Sequence, residues 1–413
     1  MAKRILIGLG FLIVSFGVLW LLQYLAIFEF LVPQNQRTSI LSNSPFAEMS
    51  ETITNQDQSS DSTTTNRQLS SVKLEVITQN LTVPWAIAFT DESRILITER
   101  SGAIREVKNG TLNPTPLISF SDVATEGEIG LMGMVLDPEY STNKKLYVCL
   151  GYTKDGKLFD RVIALQDNGN SLTEIQTLLD PIPAGSNHAG CELAFGPDKK
   201  LYITAGDATT KAIAQDLQSL GGKILRINAD GSIPSDNPFG SNSPIYSYGH
   251  RNPQGLDWSA NGTLYEVEHG PSGNDGPGGG DELNLIEPGK NYGWPLVSHN
   301  NSKEGMVSPL ITYTPAVAPA SLIVYQGDSI PEFTDNLFFG LLRGEGIMRV
   351  IVSDNDPRQI ISFEKIPGLN VGRIREIYQS NDGNIYFTTS NTDGRGSTKT
   401  GDDKLYKLLP VFK

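Results

Sequence analysis

The chain has 413 residues, with 33 Lys and Arg against 46 Asp and Glu, for a formal net charge of -13. That balance, without a basic run, excludes nucleic-acid binding through an electrostatic face, because phosphate contacts need clustered Lys and Arg. The length allows one large domain with a substantial buried core.

Residues 5–28 carry no charged side chain, Glu29 lying just beyond, and Lys3 and Arg4 precede them. A run of that length can span a bilayer as one helix, and the positive flank stays in the cytoplasm. It exceeds the apolar stretch of a cleavable leader, roughly 7 to 15 residues. Residues 1–33 are therefore predicted to be an uncleaved N-terminal transmembrane helix, with the rest of the chain extracytoplasmic. Residues 34–71 are rich in Ser, Thr, Asn and Gln. They cannot bury enough apolar surface to offset ordering entropy, which predicts a disordered linker.

From residue 72 to 413 a pattern recurs: an apolar strand, a turn with Asp or Asn, then a strand of β-branched and aromatic residues. Copies fall near Trp85–Thr98, Gly130–Leu150, Gly190–Thr204, Gly255–Val267, Leu322–Leu341 and Ile374–Thr388, with turns at Asp91, Asp137, Asp198, Asn261, Asp335 and Asp382. Helical patterns are almost absent, Lys211–Leu220 being the best candidate. The interval suits a four-stranded blade, so the fold class is all-β and the architecture a six-bladed β-propeller. Loops from every blade then surround one hub. Cys149 and Cys191 lie in apolar strand-like segments; outside the cytoplasm a disulfide and a pair of buried thiols are both open.

Residues suited to chemistry cluster in this domain. His188 stands on a loop at the entrance to the third repeat, and imidazole is the side chain best matched to taking up a proton near neutral pH. Gly249–Leu256 reads Gly-His-Arg-Asn-Pro-Gln-Gly-Leu, and Arg251 offers a permanent planar donor to a carboxylate or quinone oxygen. Glu268, Asp275, Asp281 and Glu282 surround a glycine-rich stretch, a mixture of carboxylates and carbonyls that suits calcium, though not at EF-hand spacing. Arg373 and Arg375 alternate along a strand and share a face, an arrangement for pairing with carboxylates.

These motifs, in this order from Leu81 to Leu408, resemble the glucose/sorbosone dehydrogenase family, which includes soluble pyrroloquinoline quinone (PQQ)-dependent glucose dehydrogenases and aldose sugar dehydrogenases. The resemblance implies the same six-bladed propeller and an enzyme that oxidises an aldose or related polyhydroxy compound to its lactone with PQQ and Ca2+. It implies His188 as general base and Arg251 at the quinone oxygen. Asn252, Arg343, Arg373, Arg375 and Gln215 match cofactor contacts, Arg343 replacing a lysine. The carbonyls of Gly270 and Pro271 match the ligands of the cofactor-bound calcium, and Glu282 and Tyr292 those of a structural calcium. Glu128 stands where these glucose dehydrogenases carry a substrate-binding glutamine, and Asn187 where they carry an aspartate; both changes alter charge near the sugar. A membrane-associated electron acceptor would suit the anchor. Two alternatives use the same fold: a non-catalytic extracytoplasmic ligand-binding propeller and a calcium-dependent lactone hydrolase.

Overall fold

Every predicted hairpin is present and forms the inner half of a four-stranded antiparallel sheet in the computed structural model, which describes residues 68–413. The turn residues act through their side chains. Asp91, Asp137, Asp198, Asn261 and Asp382 each accept a hydrogen bond from the backbone N–H two residues on, closing the hairpin locally.

The six innermost strands are Pro84–Asp91, Leu131–Leu136, Gly190–Phe195, Pro253–Trp258, Pro319–Val324 and Ile374–Gln379, which begin blades one to six. Each packs against the next, and the sixth against the first, so the ring is closed. Closure uses both ends of the domain. Leu69–Thr78 pairs antiparallel with Leu405–Phe412 and completes blade six as its outer strand. Residues 69–71, which composition assigns to the linker, are thus part of the propeller: Leu69 is buried in the core of blades five and six, and the flanking serines mask it in the sequence. The apolar run at 5–28 and the linker up to residue 67 lie outside the described residues. Among the described residues no helix is long and apolar enough to cross a membrane. The predicted helix at Lys211–Leu220 reduces to a short 3-10 turn, Lys211–Gln215, because the Asp216 carboxylate accepts the Gln218 N–H and turns the chain.

The core lies between blades. Tyr202 and Ile224 of blade three interlock with Leu256, Trp258 and Leu264 of blade four, and burying such side chains contributes about 1.5–3 kcal/mol each. A disulfide between Cys149, in the second strand of blade two, and Cys191, in the inner strand of blade three, adds a covalent tie and settles the alternative left open by the sequence.

One irregularity repeats in all six blades. The inner strand shifts register against its neighbour near its start, at Pro84/Ile87, Leu131/Met134, Gly190/Leu193, Pro253/Gly255, Pro319/Leu322 and Ile374/Ile377. Bulges of this kind re-aim side chains. In blades one, three and six a threonine of the second strand fills the gap, its Oγ1 accepting the N–H of Ala86, Glu192 and Glu376. Gln254, Arg375 and Glu376 sit on these bulges and so point where a regular strand would not send them.

Candidate active site

Two sets of loops meet over the hub. One set enters the inner strands and carries Glu128, His188, Arg251 and Arg373; the other joins the second and third strands of a blade and carries Arg100, Asp207, Gly270, Arg343 and Asp393. Together they line a cavity of about 980 Å³. Its walls hold seven Lys and Arg (Arg100, Lys211, Arg251, Arg343, Arg373, Arg375, Arg395) against five carboxylates (Glu128, Asp207, Asp275, Asp281, Asp393). An excess of cations in a chain of charge -13 marks a place for an anionic ligand.

His188 stands at one wall with a backbone φ of 58°, in the left-handed region. Gly206 permits this: a Cβ there would lie 2.0 Å from the His188 carbonyl oxygen. Nδ1 of His188 is 2.7 Å from Oδ1 of Asp207, a fully buried carboxylate whose Oδ2 accepts the Trp294 indole N–H at 2.7 Å. Asp207 therefore fixes the ring with Nδ1 protonated and leaves Nε2 as the available base. Glu128 borders the same wall. Its Oε2 accepts the His188 N–H at 3.1 Å, and its Oε1 pairs with Arg395, which also donates to Asn187 Oδ1. Burial would raise the Glu128 carboxyl, but His269 and Arg395 outweigh it and hold it down at about 2. Burial also favours neutral His269, so Arg395 is the partner to credit.

Arg251 lies on the neighbouring blade, its carbonyl accepting the Asp207 N–H. Its guanidinium donates to Asp275, the His269 carbonyl and Ser272, and lies over the Trp294 ring. The glycine-rich loop thus grips Arg251 from the side. Asn252 is fully buried behind the cavity, and Oδ1 accepts the Gly190 N–H while Nδ2 has no partner. The Gly270 N–H donates to Asp281, and the Pro271 carbonyl accepts the Gly279 N–H, so the expected ligand Pro271 is shared with the loop's own turn.

Arg375 forms the floor. It stacks 3.7 Å from the Trp85 ring centroid and donates to Gln254 Oε1, linking blades six, one and four across the hub. Its Nε is buried with no partner. Burial lowers its pKa to about 10, still charged at neutral pH. Arg373 pairs with Asp393, and the Arg343 guanidinium has no ion-pair partner among the described residues. Orphaned donors on Asn252 and Arg375, with Arg343 lacking an ion-pair partner among the described residues, fit a polyanionic planar group such as PQQ: an unpaired buried donor costs about 1–3 kcal/mol, and an acceptor on the group would relieve it.

Behind Gly270 and Pro271 lies a second, smaller pocket that Glu268, Glu282 and Tyr292 also line. Here the sequence assigned Glu282 and Tyr292 and marked Glu268 as an acid suited to calcium, and the structure adds His250, Glu266 and Asn284. Asn284 Nδ2 reaches Glu266, Glu268 and Glu282, and His250 Nδ1 lies 3.2 Å from Glu268. Ligand atoms of His250, Glu266 and Glu268 fall within 4.8 Å of one another. Burial, and then the Glu268 charge, push the Glu266 and Glu282 carboxyls well up. Oxygen-rich, buried and short of positive charge, this cluster fits a hard cation. The Tyr292 hydroxyl is committed to Leu285 and Glu287, so only its backbone carbonyl could serve. Gln215 does not reach the cavity. It holds Asn291 and the Trp294 carbonyl, and so braces the wall that carries Trp294.

Comparison with known proteins now settles the ancestry. The glucose/sorbosone dehydrogenase pattern matches residues 81–405. The chain belongs to that family. It is 32% identical to the aldose sugar dehydrogenase YliI of Escherichia coli, over 78% of this chain and 91% of that one. A Thermus thermophilus structure described as a putative oxidoreductase (glucose dehydrogenase) superposes with a TM-score of 0.76 at 37% identity, covering 82% of this chain and all of the other. The PQQ-bound aldose sugar dehydrogenase of Streptomyces coelicolor gives 0.72 at 32% identity, covering 83% and 99%. Family membership supports an oxidoreductase of the sugar dehydrogenase family, and the superposed structures share the six-bladed all-β fold.

Proposed function

We propose that the protein oxidises an aldose to its lactone with PQQ as electron acceptor and calcium as structural and cofactor-bound ion. The observation that carries this is the facing of the oriented His188–Asp207 pair with a wall of guanidiniums in one cavity. His188 Nε2 takes the proton of the anomeric hydroxyl, and Asp207 stabilises the imidazolium that forms. PQQ, when bound, supplies the two-electron quinone that accepts the hydride from C1. Arg251, beside the His188–Asp207 pair, would place fixed positive charge where a reduced cofactor would carry negative charge. Arg373, Arg375 and Arg343 would hold the carboxylates of the cofactor. Gly270 and Pro271 would offer carbonyls to its calcium, and the Glu266, Glu268 and Glu282 cluster would hold a second ion. Glu128, neutralised by Arg395, and Asn187 border the space left for the sugar.

The anionic-ligand wall argues against the lactone hydrolase, which has no use for it, and the oriented base argues against a purely binding module. We place the domain outside the cytoplasm, tethered by residues 5–28 and passing electrons to a membrane-associated acceptor, on the strength of the apolar run and its basic flank alone. The test is dye-linked turnover of the full chain with a panel of aldoses, with and without PQQ and Ca2+. Turnover that requires both is expected; activity unchanged without PQQ would refute the reading.

A further inference from the structure

Asp160 has no role in the chemistry above, yet it is among the most costly residues in the domain. It is fully buried in the third strand of blade two, and neither carboxyl oxygen has a hydrogen-bond partner. Such a group costs several kcal/mol unless it does something, and an apolar residue would fill the space more cheaply. A carboxyl oxygen of Asp160 and the sulfurs of Cys149 and Cys191 all lie within 4.8 Å of one another. The neighbourhood is built around this contact. A Cβ on Gly151 would come 2.1 Å from Ile129, which requires glycine there, and would also crowd Asp160 Oδ1 at 3.2 Å.

The sulfurs also hold the rim of the cavity. Cys191 follows His188 by three residues, and Gly190 between them is bonded by Asn252 and Gln254. Cys149 adjoins Leu150, which pairs with Leu131, three residues beyond Glu128. The base and its carboxylate neighbour thus hang from opposite ends of one covalent link.

We propose that Cys149, Cys191 and Asp160 form a thiol–disulfide redox centre whose state sets the placement of His188 and Glu128. The effect on turnover rests on the dehydrogenase reading; the sulfur chemistry does not. The reductant is a dithiol, which reaches the sulfurs, both fully buried in the resting fold, when the seam between blades two and three opens locally. Its first thiol releases a proton to solvent and attacks one sulfur as thiolate; a mixed disulfide forms, the Cys149–Cys191 bond breaks, and the departing thiolate takes the Asp160 proton. The second thiol returns a proton to Asp160 and, as thiolate, displaces the remaining cysteine, which is protonated from solvent. Two electrons and two protons pass to the cysteine pair, the dithiol leaves as a disulfide, and Asp160 ends as it began. A neutral carboxylic acid beside the sulfurs is what this step requires, and Asp160, raised by burial, is in that state.

Dithiothreitol is the probe, applied to the full chain in native buffer, with thiols counted by alkylation and mass and dye-linked turnover followed in parallel. Oxidised protein should show no thiols, then gain two together, and turnover should fall at least tenfold at the same poise while quinone binding persists. The Cys149→Ala/Cys191→Ala double variant should match the reduced enzyme. Asp160→Asn should turn over normally when oxidised and expose thiols about tenfold more slowly; Asp160→Ala, which removes the carboxyl without adding volume, replaces it should the amide fail to fold. Thiols that react only on unfolding, full turnover of the reduced protein, or wild-type exchange rates in the Asp160 variants would overturn the proposal. If oxidised wild type turns over no aldose, the dehydrogenase reading fails, and thiol counting still decides the redox centre.

Discussion

The His188 wall and the acidic cluster behind Gly270 are built from the same residue types and treat them oppositely. At the wall each charge is answered: Asp207 by His188 and Trp294, Glu128 by Arg395, Asp393 by Arg373. In the cluster Asn284 Nδ2 is shared among Glu266, Glu268 and Glu282, only Glu268 is further answered, by His250 and the Arg251 and Asn252 N–H groups, Glu266 Oε1 and Asn284 Oδ1 have no partner, and burial pushes the Glu266 and Glu282 carboxyls up. Answered charge holds a side chain in one orientation before substrate arrives. Unanswered buried charge indicates a place that a cation completes.

Breaking the wall should have the largest effect. His188→Ala is expected to lower kcat by about 10²–10⁴-fold while the affinity for PQQ, measured by fluorescence titration, stays within a few-fold; full activity would remove His188 from the base role. Replacing Arg373 and Arg375 together with Ala should weaken quinone binding by at least about 100-fold, as buried charge-assisted contacts contribute about 1.5–3 kcal/mol each. Unchanged affinity would refute the carboxylate contacts.

Glu128 tests the wall without chemistry. Its folded pKa, about 2, lies below the ordinary 4.5, so it contributes stability that is complete above pH 4.5 and is lost as the pH falls through 2. Glu128→Gln should flatten that acid limb in denaturant melts; an identical limb would mean that Arg395 does not hold the carboxylate. The cluster predicts the smallest shift. Chelation with EGTA should lower stability by about 3 kcal/mol at calcium levels near 100 times its Kd, and Glu266→Gln should reduce the response. Indifference to chelator would return these acids to a purely structural role.

Much of the fold was legible in the sequence because each inner hairpin repeats the same turn chemistry, seen in Asp91, Asp198 and Asp382. The outer strands were not, since their exposed residues, as in Asp356–Lys365, follow no apolar pattern. At the site, loops entering the inner strands were readable, because His188 and Arg251 immediately precede strong apolar strands. Loops between second and third strands hid Arg100, Asp207, Lys211, Asp393 and Arg395. Only their recurring place just after each second strand could have found them. Gln215 misled because an amide beside a turn reads alike whether it faces a ligand or the Trp294 loop. Asp160 and Glu266 carried no signal at all, an acid in a strand being ordinary until its burial is known.

The most direct test is single-turnover reduction of PQQ in the full chain, loaded with Ca2+ and mixed with an aldose carrying hydrogen or deuterium at C1. The account predicts loss of the oxidised quinone absorbance on mixing, slowed several-fold by deuterium and abolished in His188→Ala. Quinone that binds and is reduced by no aldose would contradict it.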